Sequence, residues 1–351
     1  MNFETLGTIA IAVLVFGGLI FIHEFGHYIF ARIFKVTIEE FSIGMGPKLL
    51  WFTSKKTHIT YSLRMIPIGG YVAMIGENGE SEDPNSFNKK PSWQRFIITI
   101  AGAAVNIIAG FLAMAILTSM IYLYGTQVRE FSPTTENGFE VSSEDSGLML
   151  GDRIVKVNGK KVAIYDELSY EIMRHGNKPV SLTIVRDGNT MILDNVVFPV
   201  ATQSGQEFGV LDIVPVAENR DLGNIVRFSW SKSILIVRMC WESIIDLITG
   251  RYTLEAVSGP VGISGAIGDA AKAGSLNLLY IVAMISINLG IMNLLPVPAL
   301  DGGRLLFILI EMVSRRRLPS KVEETINAVG LFILLGLSVV IMIKDVFAII
   351  F

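Results

Sequence analysis

Leu14-Val15-Phe16-Gly17-Gly18-Leu19-Ile20-Phe21-Ile22-His23-Glu24-Phe25-Gly26-His27 sets two histidines and a glutamate inside an apolar run that extends from Leu6 to about Phe34. A helix needs about 20 apolar residues to cross the hydrocarbon core of a bilayer, and this run is long enough. Imidazoles and a carboxylate at that depth are costly unless a metal ion or a water-filled cavity uses them. On a helix, His23 and His27 lie one turn apart on one face, so both rings can reach a single cation, with Glu24 beside it. The run is expected to be retained rather than cleaved. Met1–Thr5 carries only Glu4 where a signal peptide is basic, and His-Glu follows where a small-residue cleavage site would stand.

Working outward, three more stretches are long and apolar: Phe96 to Gly125, about Leu279 to Leu300, and about Val329 to Ile343. Of the 351 residues 51% are hydrophobic and only 17% charged, against roughly 25% charged in a typical globular chain. These features predict a polytopic α-helical membrane protein with about four transmembrane helices. Phe228–Gly250 carries Lys232, Arg238, Glu242 and Asp246. At roughly 2.5–3.5 kcal/mol per central charge it reads as an amphipathic helix at the interface, not a span. The net charge of −3 offers no basic footprint for nucleic acid, and the single cysteine, Cys240, excludes an intrachain disulfide. The segment Arg32 to Arg95 and the link Arg315-Arg316-Arg317 with Lys321 are rich in lysine and arginine. The positive-inside rule therefore predicts that both are cytoplasmic, with the stretch between the second and third spans outside.

The domain organisation follows. Residues 1–125 are read as the first half of a membrane domain, 126–217 as an extracytoplasmic α+β domain, 218–274 as an amphipathic interfacial linker, and 275–351 as the second half of the membrane domain. In the first half, Ile59, Tyr61 and Leu63 alternate with polar residues, and Gly69-Gly70-Tyr71-Val72 follow. This predicts a membrane-associated β-hairpin with its glycines at the turn. In the outer domain Arg153–Val157, Val180–Arg186 and Met191–Phe198 read as strands, Asp166–Arg174 as a helix, and Asn158-Gly159 and Asp187-Gly188 as hairpin turns.

A catalytic zinc site takes three protein ligands and keeps one position open. The third apolar run ends Asn293-Leu294-Leu295-Pro296-Val297-Pro298-Ala299-Leu300-Asp301-Gly302-Gly303. Its prolines break the helix, its glycines allow close backbone approach, and Asp301 supplies a carboxylate. Broken backbone at membrane depth is tolerated where it serves a cavity. Asp301 is thus a candidate third ligand. Glu24 is placed to take a proton from a metal-bound water and give it to a leaving amine.

His23-Glu24-Phe25-Gly26-His27 paired with Asn293-x-x-Pro296-x-Pro298-x-Leu300-Asp301-Gly302 resembles the site-2 protease family of intramembrane zinc metalloproteases, in the bacterial branch similar to the regulator of sigma-E protease. Gly69-Gly70-Tyr71-Val72, Ala101-Gly102 with Asn106, and Gly259-Pro260-Val261-Gly262 extend the match over nearly the whole chain. The resemblance implies Zn2+ on His23, His27 and Asp301, with Glu24 as acid and base. It implies that Asn293 holds unwound substrate and that substrate adds as a strand to the hairpin at Gly69, Gly70, Tyr71 and Val72. It further implies single-span membrane proteins as substrates, such as anti-sigma factors or remnant signal peptides, cut after another protease has acted, at the bacterial cytoplasmic membrane.

Gly147-Leu148-x-x-Gly151-Asp152-x-Ile154 resembles one PDZ domain, where the sigma-E regulator type carries two. It departs from that pattern at Ser143-Glu144-Asp145-Ser146, where Ser-Pro-Ala is usual. Ala103 stands where the protease family often has proline. Two other classes fit parts of the pattern: a metal-ion transporter, which Glu24 and the PDZ-like segment argue against, and a non-catalytic scaffold, which the complete motif set argues against. His58 and His175 read as surface residues.

Overall fold

A computed structural model describes the chain except residues 1–2, 78, 80, 133–142, 204–205, 252–256, 318 and 351. In chain order the membrane-domain elements begin with α1 (Phe3–Ile33), β1 (Ile38–Thr53), β2 (Thr60–Met74) and α2 (Ser92–Met120). The inserted β-rich part runs through β3 (Leu123–Phe131), β4 (Arg153–Val157), β5 (Lys160–Lys161), α3 (Tyr165–His175), β6 (Val180–Arg186), β7 (Asn189–Val196), β8 (Val200–Gln203), β9 (Gln206–Gly209) and β10 (Ile213–Glu218). Then follow α4 (Leu222–Ile248), α5 (Pro260–Ala273), α6 (Ser275–Asn293), α7 (Asp301–Ser314) and α8 (Ser320–Ile350). The chain divides into two compact units, Met114–Leu235 and the remainder.

Among the described residues four helical stretches are long and apolar enough to cross a membrane: Gly7–Ile33, Ser92–Met120, Ser275–Asn293 and Lys321–Phe347. Their outer faces are apolar. On α8, Phe332, Ile333 and Val340 are more than half exposed, which a bilayer tolerates and water does not. The α4 helix is not one of the four.

The spans pack through small residues, as helices must where lipid is as apolar as leucine. A Cβ on Gly110 would lie 2.9 Å from the Ala283 carbonyl oxygen, and one on Gly290 would lie 2.7 Å from that of Ala103, so α2 and α6 touch backbone to backbone. The α5 helix, inside the region read as a linker, packs against α1, α6 and α8. Its first turn is held by Asp345 of α8, whose Oδ2 accepts the N–H groups of Gly259 and Gly262 at 2.9 Å each. A carboxylate thus satisfies helix-end donors that have no partner within the helix.

β1 and β2 are long and bent, and together they make four lanes. Residues 48–53 pair with 60–64, which pair with 38–43, which pair with 70–74 (Ser42↔Tyr71, Phe41↔Val72). The chain reverses between Thr53 and Thr60. β2 itself reverses between Leu63 and Gly70, since 60–63 run along 40–43 in one direction and 70–74 in the other, and Gly69-Gly70 stand at the end of that reversal, although not in the two-stranded hairpin expected. Gly69 takes φ +88, which lets β2 bend there. The first core of this half gathers Val36, Ile38, Phe41, Ile59, Val72 and Phe87 beneath the sheet. The far end exposes Leu50, Trp51, Phe52 and Met65.

In the second unit one sheet has the order β10-β3-β4-β6-β7, with β5 on β4. The strands predicted at Arg153–Val157 and Val180–Arg186 form with those bounds. Leu148, Ile154, Leu168, Ile172, Leu182 and Phe198 fill its core. Asp152, fully buried, accepts two bonds of 2.7 Å from Arg186 and one of 2.9 Å from the Met149 N–H.

Candidate metal centre

His23, Glu24 and His27 fall late in α1, where the helix meets α2. The two helices approach more closely than side chains allow. A Cβ on Gly26 would stand 2.5 Å from the Ala101 carbonyl oxygen, and one on Gly102 would stand 2.3 Å from His27 Nε2 and 2.9 Å from His23 Cε1. Gly26 and Gly102 thus bring both imidazoles against the α2 backbone. The physical role of Ala101-Gly102 is this contact.

Asp301 arrives differently from expectation. The third span stops at Asn293, not near Leu300, because Pro296 and Pro298 cannot continue a helix. Residues 294–300 form a loop, and Asp301 opens a new helix, α7. The loop is wedged tightly. A Cβ on Gly302 would lie 2.0 Å from the Leu295 carbonyl oxygen, one on Gly303 2.5 Å from that of Val297, and one on Gly330 of α8 2.9 Å from that of Pro298. Ala299 adopts φ 71, a left-handed conformation costly for a residue with a Cβ, and donates its N–H to Asn327 Oδ1 at 3.2 Å. The strain is spent on turning Asp301 toward α1.

His23 Nε2, His27 Nε2 and Asp301 Oδ2 form a nearly equilateral triangle, with separations of 3.2, 3.1 and 3.2 Å. Zn–N and Zn–O bonds of about 2.0–2.1 Å in a tetrahedral site need donors about 3.3 Å apart. Asp301 Oδ2 is buried with no hydrogen-bond partner, a cost that a cation removes. The donors fit zinc. His27 Nδ1 lies 2.9 Å from the Ile98 carbonyl oxygen and donates to it, which leaves the Nε2 lone pair for metal. Asn106, fully buried on α2, lies 3.4 Å from His23 Nδ1 through its side-chain amide, while its Oδ1 has no partner. Turning the amide over lets Oδ1 accept the Nδ1–H, so Asn106 holds His23 in the same tautomer as His27.

Two cavities open on this cluster. One of about 420 Å³ is lined by His23, Glu24, His27, Tyr71, Val72 and Asp301, among others. Another of about 270 Å³ is lined by His23, Glu24, Gly69, Gly70, Asn293 and Asp301, among others. The structure thus brings all nine predicted site residues together. A Cβ on Gly70 would meet Glu24 Cγ at 3.2 Å and the Ser42 carbonyl oxygen at 2.9 Å, so β2 lies directly against Glu24. The Val72 side chain points into the core at 6% exposure, and the Tyr71 hydroxyl accepts a hydrogen bond from Arg64.

A largely apolar helical bundle that buries a two-histidine, one-carboxylate cluster beside a glutamate defines a membrane-embedded zinc hydrolase. The model of peptidase family M50 matches residues 11–337. A protein of Clostridium perfringens described as a zinc metalloprotease is 36% identical over 96% of this chain and 98% of its own length. The zinc metalloprotease RasP of Geobacillus kaustophilus is 28% identical over 98% of both chains. The regulator of sigma-W protease RasP of Bacillus subtilis is 27% identical over 97% of this chain and 98% of its own. The chain belongs to peptidase family M50, and it is an intramembrane zinc metalloprotease.

Proposed function

We propose that this protease cleaves single-span membrane proteins, anti-sigma factors or remnant signal peptides among them, after another protease has removed their outer part. The observation that carries this reading is the lane 70–74. It pairs with 38–43 on one side, and among the described residues its other edge has no strand partner and lines the cavities that hold Glu24. A helical membrane segment hides its peptide bonds from attack. Pairing along Gly70, Tyr71 and Val72 holds it extended through backbone hydrogen bonds.

In this proposal His23, His27 and Asp301 hold the zinc. When bound, the zinc acts as a Lewis acid that acidifies water and polarises a carbonyl. Glu24 takes the proton of the attacking water and passes it to the leaving amine. Asn293, in the same cavity as Glu24 and Gly70, holds the unwound chain. The similarity to a regulator of sigma-W protease supports regulated proteolysis as the context. The lysine and arginine distribution supports the bacterial cytoplasmic membrane, with the inserted domain outside. The buried Leu148, Asp152 and Ile154 of that domain support a PDZ-like reading.

The test is Glu24→Gln. Purified protein should retain one zinc per chain, lose cleavage of a single-span model substrate, and hold that substrate in a trapped complex. Cleavage at an undiminished rate would remove Glu24 from the chemistry.

A further inference from the structure

We propose that Glu77 and Arg304 form a latch at the inner end of the catalytic cavity, opened by a basic residue that flanks the substrate's membrane segment. The inference rests on the strand-addition reading above.

The catalytic cavity of about 420 Å³ is followed by a second cavity of about 230 Å³, lined by Phe87, Asn88, Arg95, Glu311, Arg317 and Glu323, among others. Both are roomy enough for several waters. Glu77 and Arg304 line the two cavities together, and among the described residues no other does. The wall between the catalytic space and the second cavity is therefore this ion pair, in which Arg304 donates to Glu77 Oε1.

Each partner is tied to a different part of the site. Arg304 lies one turn beyond Asp301 on α7, so it shares the face that carries the metal-site carboxylate. Glu77 follows the lane 70–74 through a turn in which its N–H donates to the Met74 carbonyl at 3.2 Å. A chain paired along this lane enters beside Glu24 at Gly70 and leaves at Met74, where the next protein side chain ahead is Glu77. The side it leaves on carries Asn88, Arg95 and Arg317, next to the basic segments that the positive-inside rule puts in the cytoplasm.

The chemistry of the pair suits exchange. The two side chains are 20% and 18% exposed, so breaking the pair without replacement would leave a poorly hydrated carboxylate. Arg304 has a second acceptor within reach, Glu323 Oε1 of α8 at 3.9 Å, and it lies over the Phe87 ring at 6.0 Å from the centroid. It can swing to Glu323 if another cation takes Glu77. The inner flank of a single-span protein is enriched in lysine and arginine. One such residue, at the position where the paired chain leaves the lane at Met74, replaces Arg304 on Glu77, and Arg304 keeps Glu323 as its partner. The latch then reads a basic flank and seals the cavity when none is present.

The experiment uses the full-length, zinc-loaded protein in lipid vesicles. Its probes are three single-span peptides that differ only in one residue at that position: lysine, glutamine or glutamate. The expected result is a KM about tenfold lower for lysine than for glutamate, with kcat within about twofold. Glu77→Gln should narrow the KM ratio to under about twofold, and Glu77→Lys should invert it. Equal KM values for the three peptides on the unaltered protein overturn the latch, whatever the variants do. Failure to cleave any of the three defeats the proteolytic reading instead, which is a different outcome. A preference that survives Glu77→Gln in a folded, zinc-loaded variant overturns the assignment to Glu77.

Discussion

Gly102→Ala adds one methyl group, and its consequence can be worked from the packing of α1 on α2. The new carbon would lie 2.3 Å from His27 Nε2, 2.7 Å from His27 Cε1 and 2.9 Å from His23 Cε1. Ordinary contact needs about 1 Å more. His27 cannot yield that distance by rotating, because its Nδ1 is held by the Ile98 carbonyl at 2.9 Å, on the same helix as the added carbon. Its ring or the whole of α1 must shift by about 1 Å, and metal sites tolerate only ~0.2 Å. The overpacking should cost about 1–3 kcal/mol of stability, and zinc affinity should fall by ~100-fold or more, with proteolysis falling alongside it. Gly17→Ala is the control. It is another helical glycine, with nothing within 4 Å of an added Cβ, and it should be neutral or stabilising by ~0.5–1 kcal/mol. Elemental analysis, thermal unfolding and cleavage of a model substrate are measured on both variants. Stoichiometric zinc and full activity in Gly102→Ala would refute the claim that this contact sets the site.

Asn106→Ala should weaken zinc binding by about 10–100-fold through loss of the His23 orientation; metal competition titration measures it, and an unchanged affinity would show that His23 orients itself. Burial alone would raise the Glu40 carboxyl, but the Ser62 hydroxyl, Lys48 and Arg64 outweigh it and hold it at about 2. Its unfolded pKa is about 4.3, so Glu40 stabilises the sheet above that pH and loses the contribution as pH falls toward 2. Glu40→Gln should flatten the acid limb of melting temperature against pH, and parallel curves for the two proteins would count against the ion pairs. With Cys240 replaced by serine, a cysteine at Lys55 or Arg316 should react only with reagents that reach the cytoplasm, and one at Asn189 only from outside. Labelling of Arg316→Cys from outside would reverse the orientation.

Much of the architecture was legible because the bilayer imposes length and polarity rules that act on a sequence directly. Four spans and a charged, amphipathic Phe228–Gly250 follow from counting residues and charges. The His-Glu-x-x-His pair follows from helical periodicity. In the inserted domain, alternation and the Asn-Gly and Asp-Gly turns located β4 and β6, because period-two patterning and turn chemistry are local. The glycines of β2 are legible as a reversal but their partners are not, for a reason that is also physical. A Gly-Gly pair suits a turn, a bend or a close approach equally well, and only the neighbour decides. Here the neighbours are Met45, whose side chain crowds Gly69, and Glu24, which crowds Gly70. The α5 helix is not legible as a span because its 14 residues are too short to cross a bilayer; the Gly268 contact with Thr8 of α1 and the Asp345 cap appear only when the helices are assembled.

What the sequence determined by itself was the inventory: which segments lie in lipid, which side chains could bind a metal, and which glutamate stands beside them. These depend on solvent transfer and on spacing along one element. What the tertiary structure decided was convergence. Asp301 reaches His23 and His27 because a strained loop and three glycines turn α7 inward. Asn106 and Ile98 set the imidazoles because α2 lies backbone-close to α1. The lane 70–74 meets Glu24 because β2 bends back past β1. Each is a contact between residues tens to hundreds of positions apart, and no local propensity encodes it.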